Sequence, residues 1–190
     1  MANVQIPNLP PAIALNGTEE LEVVQAGVSV RTTTRAVANL KTYYGSFYDT
    51  STQTNAGATS ANPMLLDSTE LSSGVSAEAL GKIRIAAAGV YNIQFSAQFD
   101  KTDGGDDDVE IWLSVNGTNV PWSASIVSIH SNNGKEIPAW NWFYQFAAND
   151  YFQLFWHSAD TDMRILARSA QINPTRPAIP SVILTVNLVG

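Results

Sequence analysis

The 190-residue sequence is long enough for one domain with a small appendage, and it has no cysteine, so disulfides, thiolate metal sites and cysteine nucleophiles are excluded. Seventeen acidic against ten basic residues give a formal net charge of -7, which leaves no basic stripe to neutralise phosphates and argues against a nucleic-acid partner. Only 14% of residues are charged, so the surface is expected to be neutral and hydrogen-bonding, rich in Ser, Thr, Asn and Gln. The opening MANVQIPNLPPAIALNG has no basic stretch followed by an apolar run, so no secretory signal is expected. No stretch approaches the roughly 20 apolar residues of a membrane helix, and no membrane partner is expected.

Residues 1–42 read as a separate arm. Asn8-Leu9-Pro10-Pro11-Ala12 favours extended backbone, because proline fixes φ and lacks an amide proton. Two β-like runs follow, Leu21–Gln25 and Val28–Thr32, joined by Ala26-Gly27, where glycine supplies the positive φ of a tight hairpin. Thr33 or Thr34 then stands where it can cap a short helix over Arg35–Leu40. The segment is too small to hold a core, yet its apolar residues, among them Ile6, Leu9, Ile13, Leu15 and Val23, require cover. Docking on a partner supplies that cover. The expected attachment residues are Leu9, Pro10, Pro11, Ile13 and Leu15.

From Tyr43 onward the pattern is strand after strand. Lys82–Ile85 ends at Ala88-Gly89, and Tyr91, Ile93, Phe95, Ala97 and Phe99 then alternate with Asn92, Gln94, Ser96 and Gln98. That period of two gives one apolar and one polar face. Val109, Ile111, Leu113 and Val115 repeat it, and Asn116-Gly117 predicts a hairpin turn into Val120-Pro121-Trp122. Further strands are expected over Ala124–Ile129, Trp140–Phe146, Asp150–His157, Met163–Arg168 and Ser181–Val189. Helical periodicity is absent over any long stretch. Eight to ten strands at this spacing fit an all-β sandwich, a jelly roll or a closed barrel.

Two resemblances narrow the choice. Gly89-Val90-Tyr91-Asn92-Ile93-Gln94-Phe95-Ser96 resembles the central strand of the tumour-necrosis-factor and complement-head superfamily, and Asn149-Asp150-Tyr151-Phe152-Gln153-Leu154 resembles a later one. Ser181–Val186 would be the last strand, running through the middle of one sheet. The likeness spans residues 43–190, although the superfamily's full set of core aromatics is not matched, and it implies an antiparallel jelly-roll sandwich that assembles as a trimer. Separately, Leu9-Pro10-Pro11-Ala12, Gly17-Thr18-Glu19-Glu20-Leu21, Val23-Val24-Gln25, Gly27 and Arg31-Thr32-Thr33 resemble an N-terminal segment of tailed-phage structural proteins, with Glu20 as an extra residue. That resemblance implies an attachment module carrying an exposed domain.

Chemistry is thinly represented. Asp103-Gly104-Gly105-Asp106-Asp107-Asp108 offers the hard oxygens that calcium prefers, but it lacks the spacing and distal glutamate of a helix-loop-helix site, and a solvated turn explains it. His130 and His157 are the only histidines, 27 positions apart, and are expected to be structural. No serine sits in a Gly-x-Ser-x-Gly elbow, and Asp160 and Asp162 lie in a turn rather than as a glycosidase pair. Asn16-Gly17-Thr18 and Asn116-Gly117-Thr118 match glycosylation acceptors but read as turns. No catalytic residue, metal site or cofactor is expected.

The aromatics carry more. On Asp150–Trp156, Phe152, Leu154 and Trp156 share one face and leave Tyr151 and Phe155 on the other, while Trp112 points away from Ile111 and Leu113. Strands with bulky apolar groups on both faces need two covers, and Trp112, Tyr151 and Phe155 are the expected oligomer interface. The resulting expectation is a non-enzymatic virion structural protein: a homotrimeric jelly-roll knob on the exterior of a phage particle. It would decorate or cement the capsid, or form a short head fibre, held through its arm to other virion proteins, the major capsid protein first among them. The alternative is a tail-fibre receptor-binding domain that recognises host surface glycan.

Overall fold

The computed structural model describes residues 14–38 and 43–190. The chain is divided between Thr42 and Tyr43 into two units. In the first, β1 (Glu20–Gln25) and β2 (Val28–Thr33) form an antiparallel hairpin. Its turn places Ala26 at φ 51° and Gly27 at φ 80°, the pair of left-handed residues that matches strand twist. Alanine bears a Cβ penalty in that position that glycine does not. Cross-strand partners Val23 and Val30 share a face with Leu21 and Val28, and the opposite face carries Glu20, Glu22 and Arg31. The helix α1 (Thr34–Ala38) follows, and the Ala36 N–H donates to Thr33 Oγ1 at 3.2 Å, so Thr33 is the cap. The last two residues of the predicted helix, 39 and 40, lie outside the described residues, as do Leu9, Pro10, Pro11 and Ile13.

The Glu19 carboxylate staples this unit. It accepts from the Asn16 N–H at 2.8 Å, the Thr34 hydroxyl at 2.7 Å and the Gly17 N–H at 2.9 Å. Led by the Asn16 bond, these donors hold its pKa down to about 2.

Apart from one 3-10 turn at Ala79–Gly81 the regular structure of the second unit is β, and every strand pair is antiparallel. In chain order its strands are β3 (Tyr44–Asp49), β4 (Gln53–Thr54), β5 (Asn62–Pro63), β6 (Ser68–Ser73), β7 (Val75–Glu78), β8 (Lys82–Ile85), β9 (Gly89–Ala97) and β10 (Phe99–Asp100). There follow β11 (Asp107–Val115), β12 (Thr118–Asn119), β13 (Ser125–Ile129), β14 (Lys135–Glu136), β15 (Ala139–Phe146), β16 (Tyr151–His157), β17 (Arg164–Ile165) and β18 (Val182–Leu188). One sheet runs β15-β9-β18-β3-β6, with β18 at its centre. The other runs β12-β11-β16-β8-β7, with β13 also on β11 and β5 also on β16. A third, small sheet runs β14-β10-β17-β4, and its Phe99 and Ile165 join the same core.

Alternation dictates the packing. Tyr91, Ile93 and Phe95 from one sheet meet Ile111, Leu113, Leu154 and Trp156 from the other in one core, each no more than 3% exposed. Removing such a side chain from water is worth about 1.5–3 kcal/mol, so a core of this extent needs no covalent staple. Aromatic pairs link the sheets: Trp156 meets the edge of Phe99 from the small sheet with centroids 5.4 Å apart at 74°, and Phe146 of β15 meets Phe152 of β16 at 5.6 Å, tilted by 35°. The all-β sandwich expected from alternation is what forms.

Several local expectations are corrected. Val120–Trp122 is a turn, not a strand; β12 is two residues long, and Trp122 takes φ 63° with its ring fully in solvent. The buried Ser123 hydroxyl bends the chain there, donating to Val120 O at 2.8 Å and accepting from the Leu113 N–H at 3.1 Å. The run from Tyr91 to Phe99 breaks at Gln98, whose N–H turns to Ser181 O, and Phe99 starts the small sheet. Of Met163–Arg168, only Arg164 and Ile165 pair as a strand. The strands from β3 to β7, and β14, had no counterpart among the expected strands.

Candidate functional site

The outer face of the β11–β16 layer is ordered by its register. Trp112 lies opposite Phe155, and Phe155 lies opposite Pro63 of β5, so three apolar groups from three strands stand side by side. The Trp112 and Phe155 rings stack with centroids 5.9 Å apart and 16° between planes, and Trp112 Nε1 donates to Asn119 Oδ1 at 2.9 Å. Both rings are half-buried by their neighbours in the same chain.

Toward the other end of this face, Ser114 pairs with Gln153; both are buried, and Gln153 Nε2 donates to Leu80 O at 2.7 Å. Tyr151 lies beyond them, opposite Arg84. Lys82 Nζ stands 4.7 Å from the Tyr151 ring centroid and the Arg84 guanidinium 5.7 Å. Arg84 is itself paired with Glu78. The structure therefore joins Trp112 and Phe155 in one patch and leaves Tyr151 apart, dressed by cations. Leu15, the one predicted attachment residue among those described, is exposed.

The acidic loop is organised around a lysine. Lys101 is fully buried, and its Nζ reaches Asp107 Oδ2 at 2.7 Å and the carbonyl of Gly105. The Asp107 hydrogen bond raises its pKa above the ordinary lysine value, against the cost of burial. Next along the chain, the 2%-exposed Asp100 takes Lys135 Nζ at 2.6 Å and Arg164 Nε at 2.7 Å. Burial pushes the Asp100 carboxyl up, and these two cations outweigh it, so its pKa falls below the ordinary value.

In the sequence, Asp160 and Asp162 are simply two acids of a turn. The fold brings them to Asp103, with one oxygen of each carboxylate within 4.8 Å of the others. Asp103 Oδ1 and Asp160 Oδ2 are buried without a hydrogen-bond partner. Among the described residues these three could hold a cation. No sequence spacing announces them, because the two loops meet only through the pairing of β10 with β17 and of β11 with β16. Burial comes first in raising the Asp160 pKa, and the Asp103, Asp107 and Asp162 carboxylates add to it, against the Asp162 N–H that lowers it.

The histidines are held by acids. His130 Nδ1 is 3.3 Å from Asp106 Oδ2, and His157 Nδ1 is 3.2 Å from Glu110 Oε2 while its Nε2 is 3.0 Å from Ala58 O. Each is a surface pair to a carboxylate. Among the described residues no helix is long and apolar enough to cross a membrane. No known family model matches this chain, and no curated protein matches it in sequence.

Proposed function

We propose that this protein is a non-enzymatic structural component of a tailed-phage particle, a homotrimeric jelly-roll knob attached to the outside of the shell by residues 1–42. The observation that carries the reading is the hairpin of β1 and β2. A lone two-stranded hairpin is marginal in water. This one exposes apolar side chains along its length, with Val24 72% and Val28 62% exposed, so it gains stability from a surface that covers it. That is the behaviour of an attachment element. The position of β18 between β9 and β3, facing a layer built on β11 and β16, supports the jelly-roll reading. The Trp112–Phe155 patch supports a contact between copies.

The attached partner is read as another virion protein, the major capsid protein first, and the role as decoration or cementing of the shell or as a short head fibre. The test is deletion of residues 1–42. Residues 43–190 contain the apolar core found among the described residues, so the shortened protein is expected to keep its β circular-dichroism spectrum. It is expected to lose co-sedimentation with particles stripped of the native protein. Retained co-sedimentation would defeat the proposal.

A further inference from the structure

The outer face of the other sheet carries a groove of about 610 Å³. Ser46 and Tyr48 of β3, Glu70 of β6 and Ile183 of β18 supply the sheet side, and the chain around Arg168 and Pro180 folds over to complete it. Tyr48 and Ile183 are direct cross-strand partners, so their side chains are neighbours on the outer face and form an apolar floor. The overhanging segment is pinned: Arg168 and Ile179 exchange two backbone hydrogen bonds, at 2.9 and 2.8 Å, and the Ala167 N–H donates to Thr52 Oγ1 at 3.1 Å.

Its polar groups fall into two sets. Ser46 Oγ donates to Glu70 Oε2 at 2.9 Å, and Thr50 Oγ1 donates to Asp67 Oδ2 at 2.6 Å, so these hydroxyls fix the wall. Tyr48, Glu70 and Arg168 line the groove, Arg168 at its border with a neighbouring hollow beside Asp100 and Lys135, and the Tyr48 hydroxyl, Glu70 Oε1 and the Arg168 guanidinium have no side-chain partner among the described residues. One group that donates and accepts, one pure acceptor and one pure donor thus stand around an apolar floor.

We infer that this groove binds a neutral saccharide. A pyranose ring offers C–H groups on its face, which suit Tyr48 and Ile183, and hydroxyls at its rim, each able to donate to Glu70 or accept from Arg168. Alternatives fit worse. A wholly apolar ligand would strip water from the carboxylate and the guanidinium without replacing it. An anion would meet Glu70 on a chain of net charge -7. A peptide adding as a strand needs an open sheet edge, and this groove lies on a face. The inference does not rest on the particle reading, because the groove and the Trp112–Phe155 patch belong to different sheets.

The test takes the full chain to an array of neutral and anionic oligosaccharides, then titrates the best neutral hit by calorimetry against wild type, Arg168→Ala, Tyr48→Ala and Trp122→Ala. Binding of neutral glycans is expected, weakened about tenfold or more by the first two variants, since a site built to hydrogen-bond hydroxyls loses that much with one partner gone. Trp122 is exposed and lies outside the groove, and its variant is expected to bind as wild type does. Arg168 is exposed, so that variant isolates recognition from folding should Tyr48→Ala unfold. Failure to bind any neutral glycan, preference for anionic ones alone, or undiminished binding by Arg168→Ala would each overturn the assignment. Particle binding is a separate measurement, so loss of one reading leaves the other standing.

Discussion

Asp160 lies among burial and carboxylates that disfavour its ionised form. Desolvation and three neighbouring aspartates raise its pKa above the ordinary 3.8, so the folded protein holds that proton more tightly than the unfolded chain does. For a raised carboxyl the sign is fixed: ionised at neutral pH it costs stability, and the cost vanishes as pH falls below the unfolded value. Asp160→Asn removes the charge and keeps an oxygen for the Asp162 N–H, which now donates to Oδ1 at 2.8 Å. In buffer containing a chelator, its thermal midpoint is therefore expected to exceed wild type at pH 7 and to converge with it near pH 3. A lower midpoint at pH 7 would refute this account. At this scale the sequence was uneven. The inward set of Phe152, Leu154 and Trp156 was legible because a period of two is a local property. The meeting of Asp103 with Asp160 and Asp162 was not, because it depends on strand register.

Elements follow the same division. The two hairpin turns, Ala26-Gly27 and Asn116-Gly117, were readable because positive φ is a demand on residue type. β9, β11 and β16 were readable because their inner faces are almost wholly apolar. β6, with the sequence STELSS, was not: it is an edge strand exposed along most of its length and has no buried face to imprint a pattern. The turn after β12 shows tertiary override of a different kind. Val120-Pro121-Trp122 has the composition of a strand, but the Ser123 hydroxyl takes the Leu113 N–H that a strand partner would have used. Ser123→Ala leaves that buried donor unpaired and is expected to cost about 1–3 kcal/mol in urea denaturation, with unchanged m-value. A cost within a few tenths would show that water reaches the site. Another close approach is at Gly81, where a Cβ would lie 2.1 Å from Met64 O, so the segment that carries Pro63 beside Phe155 depends on a missing side chain.

At the scale of the whole molecule, strands that are apolar on both faces create a need for a neighbouring copy. The structure moderates it, since Trp112 and Phe155 shelter each other and Pro63 flanks them. What is left is a half-buried patch. The trimer reading predicts that sedimentation equilibrium of the intact protein gives three times the 20.5 kDa chain mass. Phe155→Asp is expected to shift that mass toward the single chain, because it places a charge where apolar contact is proposed, while the outward position spares the core. A stable single chain in wild type at micromolar concentration would remove the oligomer from the reading and leave the attachment proposal to be judged alone. The sandwich was legible from composition and alternation; the choice of partners was not, because half-burial in one chain is compatible with water or with protein.

The central place of β18 bears on how the chain is made. β9 and β3 flank it on either side, and both emerge from the ribosome long before Val182 does. Until then each keeps an unpaired row of amides and carbonyls where the middle of the sheet will be, open to strands of other nascent copies. The finished protein hides both edges. Its exposure to mispairing is therefore greatest during translation, and crowded polysomes are a harsher environment for this fold than dilute solution.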